Sequence, residues 1–525
     1  MEQLRLEALS VEQKIGMTLV VRGYRDEEDR DFVYEMLRKK SIGGVQVACR
    51  PGCEEETARI RELAGYPVLI CADMEKGFPA SEYLIPSMMS LAAAGDEQLA
   101  YEFGCITAIE AKRHGYSVVW GPNVDLLPKD ESCAGAVRRF GSDPERVSRL
   151  AEAIMRGYMD NGLFPTMKHY PGASDVCVDT HMMEGRSQLT REELFRRDLQ
   201  PYLQAMRRSG LPGVMTKHTA VEAIDPDYPA SLSRKVISLL RQEGFDGLIT
   251  TDSFAMMGVL QKFGEEKIYG LAVAAGNDMV LPNYRIPFRE AYGYMLKAYR
   301  DGVITPERLD EAVRRVLKAQ EFTLRQAQRA ELSEAQTDVV RQITEKGVCA
   351  LTDDGVSCAL EGNKKRLFVV LYENAYRDDN GEINEITDPG AIGFADLPRI
   401  RSLIDGFFPG SEMIAINQFP SRKQVERVCY ASTMAEEVVF LTYSMGGAYA
   451  AGYRLTEKIA NTMLAVQPKL AAILHLGNPF AVECAPHTPR RIFAFGGTNG
   501  PELVLRVLAG TLTPQSGLPV ELKEK

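Results

Sequence analysis

The chain has 525 residues, a formal net charge of −10 at pH 7, 45% hydrophobic residues and 26% charged residues. This length is too great for one ordinary core and predicts two or three domains, and the composition is typical of globular proteins. The acidic charge is spread along the chain without a basic stripe. That distribution argues against nucleic acid or an anionic membrane surface as the main partner.

Signals for export, membrane insertion and metal binding are absent from the sequence. No uncharged apolar run approaches the roughly 20 residues that span a bilayer. The first 14 residues carry acidic and basic side chains that a secretory apolar segment would not tolerate. The ten cysteines form no CxxC pair, and no HExxH, HxH or phosphate-binding glycine motif is present. We therefore expect a cytoplasmic protein with no membrane partner, metal or cofactor.

Short apolar runs alternate with helical patterns from about residue 40 to 285. The runs are IGGVQV, YPVLICAD, YSVVWGPNVD, LFPTMKHY, LPGVMTKH, FDGLITTD and NDMVLP. Strands that alternate with helices predict parallel pairing through right-handed crossovers. Seven or eight such units in about 300 residues favour a TIM-like (β/α)₈ barrel over an open sheet.

Nearly every apolar run is associated with polar or titratable residues that we expect at its end. They are Asp73, Asp125, Lys168 with His169, Lys217 with His218, Asp252, and Asn277 with Asp278. A barrel brings the carboxyl ends of its strands to one face, where active sites lie. Each residue alone could equally cap a helix or sit in a surface loop. Their shared position favours a functional site at one mouth.

A second domain follows the barrel. The segment DGVITPERLDEAVRRVLKAQ predicts a helix with Thr305 as N-cap and Pro306 as its first residue. From about residue 335 the runs RLFVVLYE, EMIAINQF, EEVVFLTYS, LAAILHLGNPF and RIFAFGG predict five or so strands covered on both faces. We predict a barrel with its closing helices over residues 1–330, and a smaller α/β/α sandwich over residues 335–525.

The loop KHYPGASDVCVDTH, residues 168–181, gathers an unusual number of titratable groups. The sequence Tyr-Pro-Gly forces a turn directly after the strand. Asp179 and His181 are two residues apart, so in an extended segment they face the same side and can hydrogen-bond. Such a pair fixes the imidazole tautomer and leaves the other ring nitrogen for proton transfer. The alternative is a solvated Asp-Thr-His turn.

Asp252 is a second candidate for chemistry. The stretch LITTDSFAMMGV places it after four residues of strand character and before a helical pattern. Capping of that helix is one interpretation. At a barrel mouth, the same carboxylate could instead attack an electrophilic carbon.

Several of these motifs resemble one family. KHYPG followed by Asp179-Thr180-His181 resembles the KH(F/Y)PG…D(S/T)H loop of family 3 glycoside hydrolases, in particular their β-N-acetylhexosaminidase branch. TDSFAM resembles the nucleophile motif of that family. PNVDLLP, RRFGSDPERVSRLAEAIMRGYMDNGL, AIDPDYPASLS, GNPF and SGLPVEL also resemble family stretches. The resemblance runs in the family's order over roughly residues 8–520.

The resemblance implies a barrel plus an α/β sandwich, and a retaining mechanism through a covalent glycosyl-enzyme. By position, Asp252 would be the nucleophile, His181 the general acid/base and Asp179 its orienting partner. The implied substrate-binding residues are Asp73, Arg138, Lys168, His169 and His218.

The chain departs from the family pattern on the sugar-binding side. DMEKGFPAS keeps Asp73 and Glu75 but lacks two arginines of the family segment, and KHYPGAS and THMMEGRS also differ. We expect an exo-acting β-N-acetylglucosaminidase whose partner is a carbohydrate. A glycoside phosphorylase and a β-glucosidase are alternative enzymes, and a catalytically inactive sugar-binding protein is an alternative of another class. The intact Asp252, Asp179 and His181 argue against that last alternative.

Overall fold

The computed structural model describes residues 2–128, 135–325, 331–372, 375–377, 383–385, 396–444 and 454–523. The chain divides into two compact units. The first comprises Met1–Leu84, Asp96–Pro128 and Ser142–Val340. The second comprises Ile85–Gly95, Lys129–Gly141 and Arg341–Lys525.

Within the described residues, the first unit is built on eight parallel strands that pair in chain order. They are β1 Val20–Val21, β2 Gly44–Gln46, β3 Leu69–Asp73, β4 Val118–Asn123, β5 Phe164–Tyr170, β6 Gly213–Thr216, β7 Leu248–Ser253 and β8 Met279–Leu281. The last and first strands also meet, because Leu19 and Val280 form a parallel bridge. The sheet therefore closes, which confirms the predicted (β/α)₈ barrel.

Two features of the barrel differ from the sequence-based expectation. Strand β1 precedes the first predicted run and has two residues, too few for a strand pattern to stand out. Asn277 and Asp278 come before β8, so they lie at its amino end, away from the mouth. There the fully buried Asp278 pairs with Arg241 at 3.0 Å and Arg308 at 2.8 Å. The apolar run NDMVLP begins with its polar residues, and placing them at the mouth was wrong.

Helices surround the barrel and follow its strands. Those of the first unit are Val11–Met17, Glu27–Arg38, Cys53–Ala64, Glu97–Arg113, Pro144–Asp160, Arg191–Arg196, Gln200–Arg208, Arg234–Gln242, Met257–Phe263, Glu265–Ala275, Phe288–Arg300, Pro306–Thr323 and Glu334–Thr337. Three short strands, Gly185–Ser187, Thr219–Val221 and Asp225–Pro229, pair in the loops after β5 and β6. Among the residues described, none of the helices has the length and apolar character needed to cross a membrane.

The barrel interior is filled by alternate side chains of its strands. The buried cluster contains Val20, Leu69, Cys71, Val118, Trp120, Phe164, Met215, Leu248, Met279 and Leu281. Val316 and Ala319 of helix Pro306–Thr323 join it. That helix begins as predicted, with the Thr305 hydroxyl accepting the Arg308 amide and Pro306 in the first turn.

The second unit contains, in its described part, a six-stranded sheet. Its strands are β9 Cys349–Thr352, β10 Arg366–Leu371, β11 Glu412–Ile416, β12 Glu437–Ser444, β13 Leu470–Gly477 and β14 Arg490–Ala494. Their order is β9-β14-β13-β12-β10-β11, with β9 antiparallel and the others parallel. The five parallel strands coincide with the five predicted runs. The antiparallel edge strand β9 was not predicted.

Both faces of this sheet are buried. Phe368 and Val370 pack in a core with Ile404 and Val504. Leu367, Val369 and Leu371 alternate with them along β10, so they point to the other face, and they are buried as well. The helices of this unit are Met88–Ala94, Val339–Lys346 at the boundary, Leu397–Phe407, Arg422–Met434, Glu457–Ala465 and Gly500–Leu508. The unit is an α/β sandwich, as predicted.

Candidate active site

Asp252 lies at the carboxyl end of β7, within the strand itself. Its side chain keeps 22% of its surface exposed, whereas the residues before it on the strand are buried. Asp252 Oδ1 accepts the Ser253 amide at 2.7 Å. The helix that follows begins at Met257 and has no side-chain cap. Helix capping, the alternative considered from sequence, therefore does not account for this carboxylate.

His169, on β5, faces the Asp252 carboxylate. Its Nε2 lies 3.8 Å from Asp252 Oδ2, and its Nδ1 lies 2.7 Å from Asp125 Oδ2. Because the carboxylate can only accept, Nδ1–H of His169 donates to Asp125. Lys217 Nζ lies 3.6 Å from the other Asp125 oxygen and donates to the Gly172 carbonyl at 2.6 Å. Polar residues that follow or end β4, β5, β6 and β7 thus meet at one mouth.

The charge state of Asp252 is set by opposing effects. Burial acts to raise its pKa, while His169, His218, the Ser253 amide and Lys168 favour the ionised form. The net result is a pKa of Asp252 below the ordinary value for aspartate. The carboxylate is therefore ionised at neutral pH, as a nucleophile must be.

Asp179 and His181 are hydrogen-bonded on the loop that follows β5. His181 Nδ1 lies 2.7 Å from Asp179 Oδ1, which also accepts the His181 amide at 3.0 Å. The His181 side chain is 33% exposed and that of Asp179 is 18% exposed. The carboxylate orients the ring while the ring still reaches solvent, which is the arrangement expected of a proton-transfer pair.

The loop that carries His181 is docked on the helix that follows Asp252. The His181 carbonyl accepts the Met257 amide at 3.0 Å, and Met257 is the first residue of that helix. Gly258 permits the close approach, because a Cβ there would lie 2.4 Å from the Met183 carbonyl oxygen. Asp175 fixes the outgoing side of the loop by accepting the Ser187 hydroxyl at 2.7 Å. The backbones that carry the two candidate catalytic groups are thus joined directly.

Lys168 and Asp73 form an ion pair at the ends of β5 and β3. Lys168 Nζ lies 2.5 Å from Asp73 Oδ1 and 2.8 Å from Glu75 Oε1. Lys168 is only 2% exposed, whereas the Asp73 side chain is 55% exposed. The lysine holds the two carboxylates in place, and Asp73 presents the more accessible hydrogen-bonding group.

His218 is placed differently from the expectation that it binds substrate directly. The residue is fully buried and stacks on Phe254. Its Nδ1 lies 2.8 Å from Ser231 Oγ, and its Nε2 lies 3.0 Å from the Ser253 carbonyl. Burial lowers the pKa of His218, so the neutral ring donates from Nε2 to Ser253 and accepts from Ser231 at Nδ1. His218 supports the backbone beside Asp252, and neither ring nitrogen is left to reach a sugar.

Arg138 ends a short 3₁₀ helix, Ala136–Arg138, which belongs to the second unit. Its contribution to the barrel mouth stays a prediction. Over the described ranges, no group of three or more His, Cys, Asp or Glu side chains has the geometry to hold a metal ion.

Sequence reasoning missed one residue of this mouth, Arg22. It follows β1 directly and donates to Ser253 Oγ and, at 2.7 Å, to Gln46 Oε1. The signal was present in MTLVVRG, an apolar run that ends in a charged residue like the later runs. It passed unnoticed because β1 itself is so short.

The comparison with known families agrees with this geometry. Residues 10–319 match the model of the glycosyl hydrolase family 3 N terminal domain. The chain belongs to glycosyl hydrolase family 3. This confirms the family that the motifs predict, and the match extends over the whole barrel.

Individual relatives are named for related activities. The chain is 28% identical over 331 residues to a β-N-acetylglucosaminidase/β-glucosidase of Cellulomonas fimi, covering 59% of this chain and 57% of that protein. It is 32% identical over 269 residues to a β-hexosaminidase of Tolumonas auensis, covering 49% of this chain and 78% of the relative. The chain thus spans little more than half the length of the Cellulomonas protein.

Solved structures match the chain over almost its full length. A family 3 β-N-acetylglucosaminidase from Paenibacillus sp. FPU-7 superposes with a TM-score of 0.80 at 25% identity, covering 98% of this chain and 99% of that one. The β-glucoside phosphorylase BglX superposes with a TM-score of 0.82 at 21% identity, covering 98% and 94%. At that identity, the second likeness establishes the shared fold alone.

Proposed function

We propose that the protein is a retaining, exo-acting β-N-acetylglucosaminidase that releases terminal β-linked N-acetylglucosamine. One observation carries the proposal. An ionised carboxylate, Asp252, lies on a strand whose following helix holds the loop with the oriented imidazole of His181. A nucleophile and an acid/base on joined backbones suit double displacement at an anomeric carbon. Family membership and the activities named for the relatives support the reaction class.

The reaction would proceed in two displacements. Asp252 attacks the anomeric carbon while the glycosidic bond breaks, and His181 gives a proton from Nε2 to the departing oxygen. His181 then removes a proton from water, which attacks the anomeric carbon and frees Asp252 with net retention. Asp179, bonded to Nδ1, orients the ring and stabilises its protonated form.

The sugar would be held by residues at the ends of neighbouring strands. Asp73 offers an exposed carboxylate that Lys168 fixes in place, and it can accept hydrogen bonds from sugar hydroxyls. His169 lies beside Asp252 and can contact a hydroxyl near the reacting carbon. Arg138 remains a proposed contact to the sugar.

Replacement of Asp252 tests the nucleophile. Asp252→Asn should nearly abolish turnover of p-nitrophenyl β-N-acetylglucosaminide while the protein stays folded and binds the product sugar, because the amide is similar in shape but a poor nucleophile. The wild-type protein should be assayed beside it with the matching β-glucoside, which separates an N-acetylglucosaminidase from a β-glucosidase. A folded Asp252→Asn variant with near-normal activity would remove the assignment. A wild-type protein that binds sugars and cleaves neither substrate would favour the sugar-binding alternative.

A phosphorylase is the second candidate, and the acid/base itself favours it. A deprotonated carboxylate beside the acceptor would repel a phosphate dianion, whereas the imidazole of His181 repels it less or attracts it when protonated. The full-length fold is also shared with a protein named β-glucoside phosphorylase. In phosphate buffer a phosphorylase should yield a sugar 1-phosphate of retained configuration, seen by phosphorus NMR. Free sugar as the only product, with no rise in rate over a buffer of matched ionic strength, would leave hydrolysis.

A further inference from the structure

Arg22, which directly follows β1, contacts Ser253, the residue next to the candidate nucleophile Asp252. The Arg22 guanidinium makes three interactions. Nη1 donates to Ser253 Oγ, Nε donates to Gln46 Oε1 at 2.7 Å, and Cζ lies 5.1 Å from the centre of the Tyr284 ring. A side chain bound on two edges and one face has little freedom, so its charge stays in one place.

Ser253 connects this guanidinium to the Asp252 carboxylate. The Ser253 hydroxyl oxygen accepts from Arg22 and, at 3.2 Å, from the Ala255 amide. Its carbonyl accepts from His218 Nε2 at 3.0 Å. Its own amide donates to Asp252 Oδ1 at 2.7 Å. Ser253, whose backbone amide hydrogen-bonds the Asp252 carboxylate, is thus fixed by the residue after β1 on one side and by the loop after β6 on the other.

The titratable groups that face Asp252 come from several elements. His169 and Lys168 face it from β5, His218 from the segment after β6, and Arg22 from the end of β1. Arg22 in turn senses Asp73 on β3, and Tyr284 and Arg285 after β8. Burial lowers the pKa of Arg22, and Asp252 and Asp73 raise it, but guanidinium remains protonated in proteins. Arg22 is therefore a fixed positive charge beside Ser253 and close enough to Asp252 to act on it electrostatically.

We propose that Arg22 is a positioning residue for the nucleophile: through Ser253 it holds the Asp252 carboxylate in the orientation and the ionised state that attack on the sugar requires. The inference rests on the proposed function, since it assigns Asp252 the nucleophilic role. It adds Arg22, which follows β1, to a site otherwise composed of residues at or after the carboxyl ends of β3 to β7.

The test compares Arg22→Met, Arg22→Lys and the control Arg285→Met in the full chain. Arg285 is a matched arginine because its Cζ lies 4.9 Å from the same Tyr284 ring, while its hydrogen bond goes to the Ala255 carbonyl. Arg22→Met should lower kcat on p-nitrophenyl β-N-acetylglucosaminide by about 10- to 100-fold and change KM much less, because misplaced groups slow the chemical step. Arg285→Met should change kcat by less than about fivefold.

The pH profile separates positioning from a merely structural role. With Arg22→Met the acidic limb of kcat/KM should move to higher pH, because one positive charge no longer favours ionised Asp252. Arg22→Lys keeps that charge, so its acidic limb should return toward the wild-type position while kcat stays reduced. A folded Arg22→Met variant with wild-type kcat and an unmoved acidic limb would overturn the proposal.

A double-mutant cycle with Ser253→Ala tests the route of the effect. If Arg22 acts through the Ser253 hydroxyl, the loss in Arg22→Met/Ser253→Ala should be clearly smaller than the product of the two single losses. Losses that multiply would overturn the route. Asp252→Asn separates the proposed function from the role of Arg22. An active Asp252→Asn variant would contradict the proposed function. An inactive Asp252→Asn variant, together with an Arg22→Met variant of wild-type activity, would contradict only the role of Arg22.

Discussion

Gly258→Ala should displace the loop that carries His181 without altering any titratable group. Gly258 is the second residue of helix Met257–Phe263. An added Cβ would lie 2.4 Å from the Met183 carbonyl oxygen and 2.9 Å from that of Thr180. Carbon and carbonyl oxygen approach to about 3.3 Å at the closest in favourable contacts. The loop and the helix must therefore separate by roughly 0.9 Å.

The size of the effect follows from that displacement. A misplacement of about 1 Å in a reacting group can cost about 10²-fold in rate. The loss should appear with substrates whose leaving groups need a proton, such as a β-linked N-acetylglucosamine disaccharide or an alkyl glycoside. Activated aryl glycosides leave with little help from the acid, so their glycosylation step should fall by much less. The assay is kcat/KM for both substrate types at one pH.

Gly293→Ala is the matched control for this substitution. Gly293 lies within helix Phe288–Arg300, and a Cβ there would meet no atom within 4 Å. Alanine should leave activity unchanged and stabilise the fold by up to about 1 kcal/mol, since glycine weakens helix interiors. An equal loss on both substrate types for Gly258→Ala, or no loss at all, would refute the reasoning about the loop.

Two further predictions concern the acid/base pair and a buried carboxyl. His181→Ala should lower turnover of substrates with poor leaving groups by about 10² to 10⁴ and spare substrates with activated leaving groups. Asp179→Asn should have a milder effect of the same kind. Equal losses on both substrate types would indicate a binding role. Burial raises the pKa of Asp198 to about 6. The folded state therefore favours the protonated carboxyl group, and the free energy of unfolding falls as the pH rises through that value. Asp198→Asn keeps partners for both Ser174 groups and should stabilise by up to about 3 kcal/mol near pH 7. The gain in Tm should fade near pH 4, and a gain independent of pH would contradict this.

The parts of the fold that sequence predicted are those with long, regular patterns. Strands β2 to β8 and β10 to β14 each contain buried apolar runs bounded by turn residues, and these runs carry the periodic signal by themselves. The helix Pro306–Thr323 was equally visible, because its cap residues are chemically distinctive. An element can therefore be predicted from the sequence when it contains enough residues for its hydrophobic or capping pattern to be recognised.

The misses have physical causes of the same kind. Strand β1 has two residues and is recognisable as a strand only through its pairing with β2 in the fold. Asp278 was assigned to the wrong end of β8 because composition does not reveal where hydrogen bonding begins within a run. The buried state of His218 depends on Ser231, Ser253 and Phe254, which approach it only in the fold.

The cluster around Asp278 bears on how the barrel could be redesigned. The carboxylate is completely buried and is met by Arg241, Arg308 and Arg315, at 3.0, 2.8 and 3.4 Å. Loss of one partner of a buried charge typically costs about 3–5 kcal/mol, a large share of the roughly 5–15 kcal/mol that stabilises an ordinary domain. A mutagenesis library for new sugar specificity should therefore vary the loops after β3, β5 and β8, and keep these four residues constant. Substrate preference can then be varied at the mouth of the barrel without lowering the stability that depends on the Asp278 cluster at the opposite end.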